Sequence, residues 1–270
     1  MKKRIRDFAA HLAATHKSSN TIRAYLCAVQ QFDDRKGRLT IEAVTLFKGR
    51  LVETRRPKTV NLYLLAVNAY LSFLGRPDLK VPLVRIQQKP FLENVISEAD
   101  YLYFKQCLDN EEERRWYFVV RFLAATGARI SELLQLKLEH VRLGHLDLYA
   151  KGGKLRRIYI PSALRTEALA WFARNGIESG FLFRNPRGVR ITARGIAAHL
   201  KTLAVKYKID PAVVYPHSFR HRFAKSFLER CGDIALLSDL MGHESIETTR
   251  IYLRRTSTEQ RAVVDEVVTW

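Results

Sequence analysis

Residues 240–252 read LMGHESIETTRIY and end on a tyrosine, Tyr252, close to the C-terminus. His217 and Arg220 precede this stretch within the segment HSFR, and Arg129 occurs much earlier, within the segment ARISE. Tyrosine is an uncommon enzymatic nucleophile, although it can form covalent intermediates. In a strongly basic chain, a late tyrosine that follows two arginines and two histidines indicates an enzyme that attacks a DNA phosphate and holds it covalently.

The charge of the chain agrees with a polyanionic partner. Its 270 residues include 46 Lys and Arg against 27 Asp and Glu, a formal net charge of +19. Residues 1–90 hold 18 basic against 6 acidic residues, whereas residues 91–270 hold 28 against 21. An excess of this size favours double-stranded DNA over a membrane surface as the partner. Its concentration in the first third predicts a DNA-binding domain there.

Membrane and secretory classes do not fit the sequence. The longest apolar run, at 116–125, is interrupted by Arg121 and is too short to span a bilayer. The N-terminus leads into an amphipathic segment and not into a signal-peptide core. The three cysteines, Cys27, Cys107 and Cys231, are odd in number and widely separated, which fits reduced thiols. The prediction is a cytoplasmic, nucleoid-associated protein.

Hydrophobic periodicity predicts a small helical domain at residues 1–80. Apolar side chains recur at helical spacing in four segments, and no strand pattern interrupts them. Residues 81–96 contain two prolines and no periodic pattern, which predicts an interdomain linker. A helix start at Ser97 then predicts a second domain over 97–270.

The second domain is predicted to be mainly helical with one β-hairpin. Residues 145–149 and 157–160 alternate between apolar and polar side chains, and the segment KGGK at 151–154 supplies the turn between them. Helical patterns follow at 162–174, 192–207, 218–231, 234–241 and, in an apolar tail, 256–270. The predicted fold class is therefore mainly α with a small β-sheet (α+β).

Attack on a phosphodiester requires groups that stabilise negative charge and groups that transfer protons. Negative charge grows on the non-bridging oxygens, and two arginines suit it because a guanidinium binds two oxygens at once. Arg129 follows Gly127 at a turn into a helix, where backbone N–H groups favour phosphate. Alternatively, Arg129 does not bind phosphate but forms an ion pair with Glu132 on the surface of a helix. His217 and Arg220 share one helical face, and histidine can transfer protons.

A zinc site is a further alternative. His217 and His221 form the H-x-x-x-H skeleton of a zinc-binding helix. The glutamate of that motif is absent, because position 218 is serine, and the sequence offers no third ligand. The prediction is therefore that the chain needs no metal and no other cofactor.

The chain contains, in order, the motifs ARISEL, KGGK in a hairpin, HxxRH, LMGH and TxxY. This ordered set resembles the tyrosine recombinases, the phage integrase family that includes the two-domain Xer recombinases. The resemblance covers about residues 97–256, and the N-terminal helical domain is similar to the family's core-binding (SAM-like) domain. It implies that a catalytic domain and a core-binding domain form a C-shaped clamp around duplex DNA.

The resemblance implies a role for each motif residue. Arg129 and Arg220 match the two phosphate-binding arginines, and Tyr252 matches the nucleophile. Lys151, the first lysine of the turn, matches the hairpin lysine that protonates the leaving 5′-oxygen, and Lys154 is the alternative if the register of the hairpin differs.

The remaining motif positions would assist this chemistry. His217 matches the histidine that helps to remove the tyrosine proton, and His243 matches a further hydrogen-bond donor to the phosphate. Glu132 matches an acidic position that supports Arg129 or a neighbouring histidine. Arg222 stands where the family often has a small hydroxyl residue, and it would add positive charge beside the site.

The function implied by the resemblance is site-specific DNA recombination. It would proceed through a 3′-phosphotyrosine and a Holliday junction in a homotetramer, in which the tail at 256–270 docks on a neighbouring protomer. Integration or excision of a mobile genetic element and Xer-type resolution both fit, and the absence of an additional N-terminal arm-binding domain favours a simple recombination site. The rivals are a type IB topoisomerase-like nicking-closing enzyme and a catalytically inactive DNA-binding protein.

Overall fold

The computed structural model describes residues 2–33, 39–86, 94–110, 112–149, 155–185, 187–243, 245–253, 261, 264–268 and 270. The chain divides into two compact units, unit 1 at Met1–Gln88 and unit 2 at Lys89–Trp270. The division falls inside the predicted linker at 81–96, and the linker itself stays a prediction. No helix in the described part of the chain is long and apolar enough to cross a bilayer.

The described part of unit 1 is helical. Its helices are α1 (Lys2–Ala14), α2 (Ser19–Asp33), α3 (Ile41–Thr54) and α4 (Pro57–Phe73), followed by a 3-10 turn at Pro77–Leu79. Thr40 caps α3, because its hydroxyl accepts a hydrogen bond from the backbone N–H of Ala43 at 3.3 Å. The apolar faces of α1, α2 and α4 meet around Phe8 and Tyr70, whose ring centroids lie 5.1 Å apart.

Unit 2 is helical around one hairpin, so the predicted fold class is confirmed. Its elements are α5 (Glu98–Cys107), α6 (Arg114–Thr126), α7 (Ile130–Leu133), α8 (Leu138–Leu143), β1 (His145–Tyr149), β2 (Leu155–Tyr159), α9 (Ser162–Arg174), α10 (Ala193–Lys206), α11 (Pro216–Cys231), α12 (Ile234–Met241), α13 (Ile246–Arg250) and a 3-10 turn at Ile251–Leu253. The two strands pair antiparallel, with His145 opposite Tyr159 and Leu148 opposite Arg156.

Two predicted segments differ from the structure or lie partly outside it. The second strand begins at Leu155, two residues before the predicted start. Of the predicted tail helix at 256–270, residues 261, 264–268 and 270 are described, and 261 and 264–267 are helical. Docking of the tail on another protomer stays a prediction.

Helix α6 is largely buried and sets the position of the functional site. Phe118, Phe122 and Leu123 are fully buried in it, and the helix packs against α9 and α11. It ends at Gly127, which has a φ of 61°, and a Cβ at this position would lie 2.4 Å from the Phe223 ring of α11. Glycine therefore allows the end of α6 to approach α11 closely, and the chain then turns into α7.

Candidate active site

Three segments of unit 2 bring together the predicted site residues that the structure describes. The turn from α6 to α7 carries Arg129, α11 carries His217 and Arg220, and the end of α12 with α13 and the 3-10 turn carries His243 and Tyr252. Hydrogen bonds or ring contacts connect these segments directly. Five motif positions, which span more than 120 residues of sequence from Arg129 to Tyr252, thus meet in one cluster.

The predicted hairpin acid lies outside the described residues. Lys151 and Lys154 both belong to the segment 150–154 between β1 and β2, which the structure does not describe. Their role in protonating a leaving group therefore stays a prediction.

Glu132 is the carboxylate around which one side of the site is built. Its Oε2 accepts a hydrogen bond from the backbone N–H of Arg129 at 2.7 Å, and its Oε1 accepts one from the Nη1 of the same residue at 2.9 Å. Arg156 of β2, which is only 8% exposed, donates a third hydrogen bond to Oε1. The pairing of Arg129 with Glu132 therefore exists, but the carboxylate is buried between two guanidiniums and not on a helix surface.

The C-terminus of α12 accepts hydrogen bonds from three arginines on three consecutive carbonyls. The carbonyl at position 240 accepts from Arg156 at 3.1 Å, that at 241 from Arg220 at 2.7 Å, and that at 242 from Arg129 at 3.2 Å. The last carbonyls of a helix lack partners within the helix and carry partial negative charge. They therefore hold the three guanidiniums in fixed orientations.

The two predicted phosphate-binding arginines differ in burial. Arg220 is 2% exposed, and burial, followed by the charges of Arg129 and Arg156, lowers the pKa of Arg220 to about 10. It stays protonated at neutral pH. The side chain of Arg129 is 37% exposed and can meet a ligand from solvent. The pair presents positive charge that is partly shielded from water, where electrostatic attraction to an anion is stronger than at an open surface.

Gly242 makes the contact between Arg156 and α12 possible. It has a φ of 59°, and a Cβ at this position would lie 2.2 Å from the Cδ of Arg156. We expect Gly242→Ala to lower the free energy of unfolding by about 2–4 kcal/mol, since it combines backbone strain with overpacking of a buried side chain. Denaturant unfolding measures this loss.

Gly232 provides the matched control for that prediction. It also ends a helix, with a φ of 71°, but nothing lies within 4 Å of a Cβ placed there. Gly232→Ala should therefore lower the free energy of unfolding only by the cost of backbone strain, about 1–2 kcal/mol. Equal losses in the two variants would contradict the proposed contact between Gly242 and Arg156.

His243 is held between Arg220 and α13. Its Nε2 accepts a hydrogen bond from Nη2 of Arg220 at 3.1 Å, which leaves Nδ1 to donate to the hydroxyl of buried Thr249 at 2.8 Å. Burial, then the charges of Arg220, Arg129 and Arg156, lowers the pKa of His243 to about 4. The ring is therefore neutral at pH 7, and it lies beside the guanidinium that is predicted to bind phosphate.

Tyr252 is buried beside α11. It is 6% exposed and packs in an apolar cluster with Ala224, Leu237 and Met241. Burial raises the pKa of Tyr252, whereas the charge of Arg220, a hydrogen bond from Arg220 and the more distant charge of Arg129 act in the opposite direction. The hydroxyl group thus lies at the arginine pair, as a nucleophile for a bound phosphate must.

The two histidines of α11 differ in their contact with this tyrosine. His221 Nδ1 lies 3.1 Å from the hydroxyl oxygen of Tyr252. His217, which the sequence assigns to proton removal, is exposed and lines a surface cavity with Ile130 and Tyr215. The ring centroids of His217 and His221 are 5.6 Å apart. The structure therefore places His221, to which the sequence assigned no role in proton removal, at the hydroxyl group, and His217 in contact with the ring of His221.

The HxxxH pair does not form part of a metal cluster in the described residues. Within the ranges that the structure covers, no group of three or more His, Cys, Asp and Glu side chains is arranged to hold a metal ion. His221 Nδ1 is engaged with Tyr252.

Arg222 has a different environment from the one that the sequence suggests. Its Nη2 lies 3.3 Å from Oε1 of Glu98, and its guanidinium stacks over the ring of Tyr101 at 4.4 Å from the centroid. These contacts connect α11 to α5 and leave the side chain only 13% exposed. Arg222 therefore contributes to packing between helices.

Sequence reasoning missed Arg156 and His221. Arg156 is in phase with buried Ile158 along β2, so the strand alternation could have placed it on the inner face. His221 belongs to the HxxRH motif, but spacing on a helix does not show which residue from another element its ring will meet.

Comparison with known proteins identifies relatives over most of the chain. The model of the phage integrase family matches residues 95–259. Tyrosine recombinase XerA of Pyrococcus furiosus is 30% identical over 97% of this chain and 92% of its own length. Tyrosine recombinase XerD of Halalkalibacterium halodurans is 30% identical over 91% of this chain and 90% of its own length.

Solved structures show the same fold. The Tn1549 transposon integrase, in complex with transposon right end DNA, superposes with a TM-score of 0.71 at 17% identity. The match covers 98% of this chain and 99% of the integrase chain.

Proposed function

This chain belongs to the phage integrase family, and from that membership we propose that it recombines DNA at specific sites with Tyr252 as its nucleophile. The observation that carries the assignment is the position of the Tyr252 hydroxyl group. It lies beside buried Arg220, within hydrogen-bonding distance of His221, and in the cluster that Arg129 completes. Positive charge and a nucleophilic oxygen thus meet where a phosphodiester would bind.

The reaction begins when the scissile phosphate binds at Arg129 and Arg220. Charge that develops on its non-bridging oxygens is stabilised by donors that the carbonyls of α12 and the carboxylate of Glu132 already orient. The oxygen of Tyr252 forms a bond to phosphorus, and the bond from phosphorus to the 5′-oxygen breaks. The products are a 3′-phosphotyrosine and a free 5′-hydroxyl.

Two proton transfers accompany this step. The hydroxyl proton of Tyr252 must leave, and we assign its removal to His217, the exposed histidine at the start of α11. The leaving 5′-oxygen must gain a proton, and we assign that donor to Lys151. The free 5′-hydroxyl then attacks the phosphotyrosine of a partner strand. Bond energy is conserved, so the exchange needs no ATP.

We propose double-stranded DNA recombination sites as the partner. The Tn1549 integrase was solved with transposon DNA, and the curated relatives are named Xer recombinases. Strand exchange through a Holliday junction would require a homotetramer, with the tail at 256–270 as the segment that docks on a neighbouring protomer. Xer-type resolution and integration or excision of a mobile element both use this reaction, and cytoplasmic DNA of the nucleoid is its expected location.

A covalent trapping experiment tests this function. The protein is incubated with a duplex that carries a nick next to the cleavage site, so that the short 5′-hydroxyl fragment diffuses away. An adduct should form and resist denaturation, and digestion should yield a nucleotide-bearing peptide that contains Tyr252. Attachment at another residue would contradict the assignment.

DNA binding should depend steeply on salt. With a net charge of +19, several Lys and Arg side chains should neutralise phosphates and release counterions, and affinity should fall on the order of 10³-fold between about 50 and 200 mM salt. Fluorescence anisotropy with a labelled duplex measures it. Arg129→Gln should reduce the slope of log affinity against log salt by about 1. A flat response would contradict phosphate-dominated binding.

A further inference from the structure

The hydroxyl group of Tyr252 has two polar neighbours that impose a direction on its hydrogen bonds. The positive charge of Arg220 acts on the tyrosine oxygen, and a guanidinium has only N–H donors to offer it. The hydroxyl proton is therefore free to point at Nδ1 of His221, 3.1 Å away. The tyrosine oxygen thus lies under the influence of a cation, and the hydroxyl proton has an acceptor in His221.

His221 is suited to accept this hydrogen bond because its ring is neutral. Burial, then the charges of His217 and Arg220, lowers the pKa of His221 to about 4. These two side chains belong to α11, and Tyr252 faces the ring from the 3-10 turn. A neutral imidazole with this low affinity for protons is a good hydrogen-bond acceptor but a poor store for a proton at neutral pH.

We propose that His221 is a positioning residue for the nucleophile, and that its Nδ1 holds the Tyr252 hydroxyl group in line with Arg220. The proposal rests on the function proposed above, in which Tyr252 attacks the phosphate. The ring of His221 contacts both Tyr252 and His217, with centroid distances of 5.4 Å and 5.6 Å respectively. His217 therefore acts on a hydroxyl group that His221 has already oriented.

Two substitutions separate positioning from packing. His221→Phe keeps an aromatic ring beside Tyr252 but removes the acceptor. His221→Asn loses the ring but can place an amide oxygen close to the position of Nδ1. If His221 positions the nucleophile, the Phe variant should form the covalent adduct about 10²-fold more slowly, since small misplacements of reacting groups have effects of this size. The Asn variant should recover most of the rate.

The readouts are the single-turnover rate of adduct formation on a nicked duplex, the affinity for the same duplex, and the melting temperature. We expect affinity to be unchanged in both variants. A purely structural role predicts the opposite order of rates, because Phe conserves packing better than Asn, and that order would overturn the proposal. Equal rates in the wild type and both variants would also overturn it.

A modified substrate tests where His221 acts. A duplex with sulfur in place of the bridging 5′-oxygen has a leaving group that needs no proton donor. His221→Phe should remain slow on this duplex, because the orientation of the nucleophile does not depend on the leaving group. Recovery of the wild-type rate would place His221 at the leaving group and overturn the proposal.

Matched controls keep this inference distinct from the function on which it rests. His140 also accepts a hydrogen bond through Nδ1, from the backbone N–H of Lys137 at 3.1 Å, but it lies in α8. His140→Phe should form adducts at close to the wild-type rate. Failure of the wild type to form an adduct at Tyr252 would reject the proposed function, whereas normal adducts with unaffected His221 variants would reject only the positioning role.

Discussion

Tyr252→Phe is expected to abolish the covalent protein–DNA adduct and to leave DNA binding unchanged. The substitution removes one oxygen atom and keeps the ring that packs on Ala224, Leu237 and Met241. Without that oxygen the protein has no atom to attack the phosphate at the arginine pair. Loss of an essential nucleophile reduces turnover by a factor on the order of 10⁶ in a well-studied hydrolase, so adducts should fall below detection.

The measurement compares wild type and variant on a nicked duplex by denaturing electrophoresis, with anisotropy as the binding assay. The free energy of unfolding should fall by only about 1 kcal/mol, because the hydrogen bond between the tyrosine hydroxyl group and His221 is lost. Tyr215→Phe is the matched control, since Tyr215 is also partly buried and immediately precedes α11. Adducts that persist without the Tyr252 hydroxyl, or that vanish in the control, would reject Tyr252 as the nucleophile.

Motif positions were predictable from sequence because each motif is local. Arg129, Arg220, His243 and Tyr252 stand at fixed places in short segments, and the structure brings all four into one cluster. Helical elements were predictable for a related reason, since the periodicity of apolar side chains reports which helix face is buried. Both kinds of inference use information within about 15 residues of chain.

Contacts between distant segments were not predictable in this way. Arg156 binds the carbonyl of Leu240, 84 positions away, and nothing near Arg156 in the sequence indicates that partner. At the start of β2, the apolar side chain is exposed and the charged one is buried, which is the reverse of what polarity predicts. Leu155 is 54% exposed whereas Arg156 is 8% exposed. Because these two residues break the expected alternation, the predicted strand began only at 157. The buried arginine has this position because Glu132 and α12 supply acceptors for it.

Glu132→Gln is expected to lower both stability and the rate of cleavage. The carboxylate accepts hydrogen bonds from Arg129 and from buried Arg156, so its loss leaves two guanidiniums without a counter-charge. Removing one partner from a buried ionic group costs about 3–5 kcal/mol. Arg129 should also lose its orientation, and we expect adduct formation to slow by about 10²-fold in the molecules that remain folded. Denaturant unfolding and single-turnover trapping below the melting transition measure the two effects.

Glu167 offers a control that separates these effects, because it is also a carboxylate placed between two arginines. Arg114 and Arg121 of α6 lie 3.1 Å and 3.3 Å from its oxygens, and neither belongs to the active-site cluster. Glu167→Gln should therefore lower stability while folded molecules cleave at close to the wild-type rate. If both variants lost stability and neither lost cleavage, Glu132 would serve the fold alone. The arginines would then owe their orientation to the carbonyls of α12, which Glu132→Gln leaves in place.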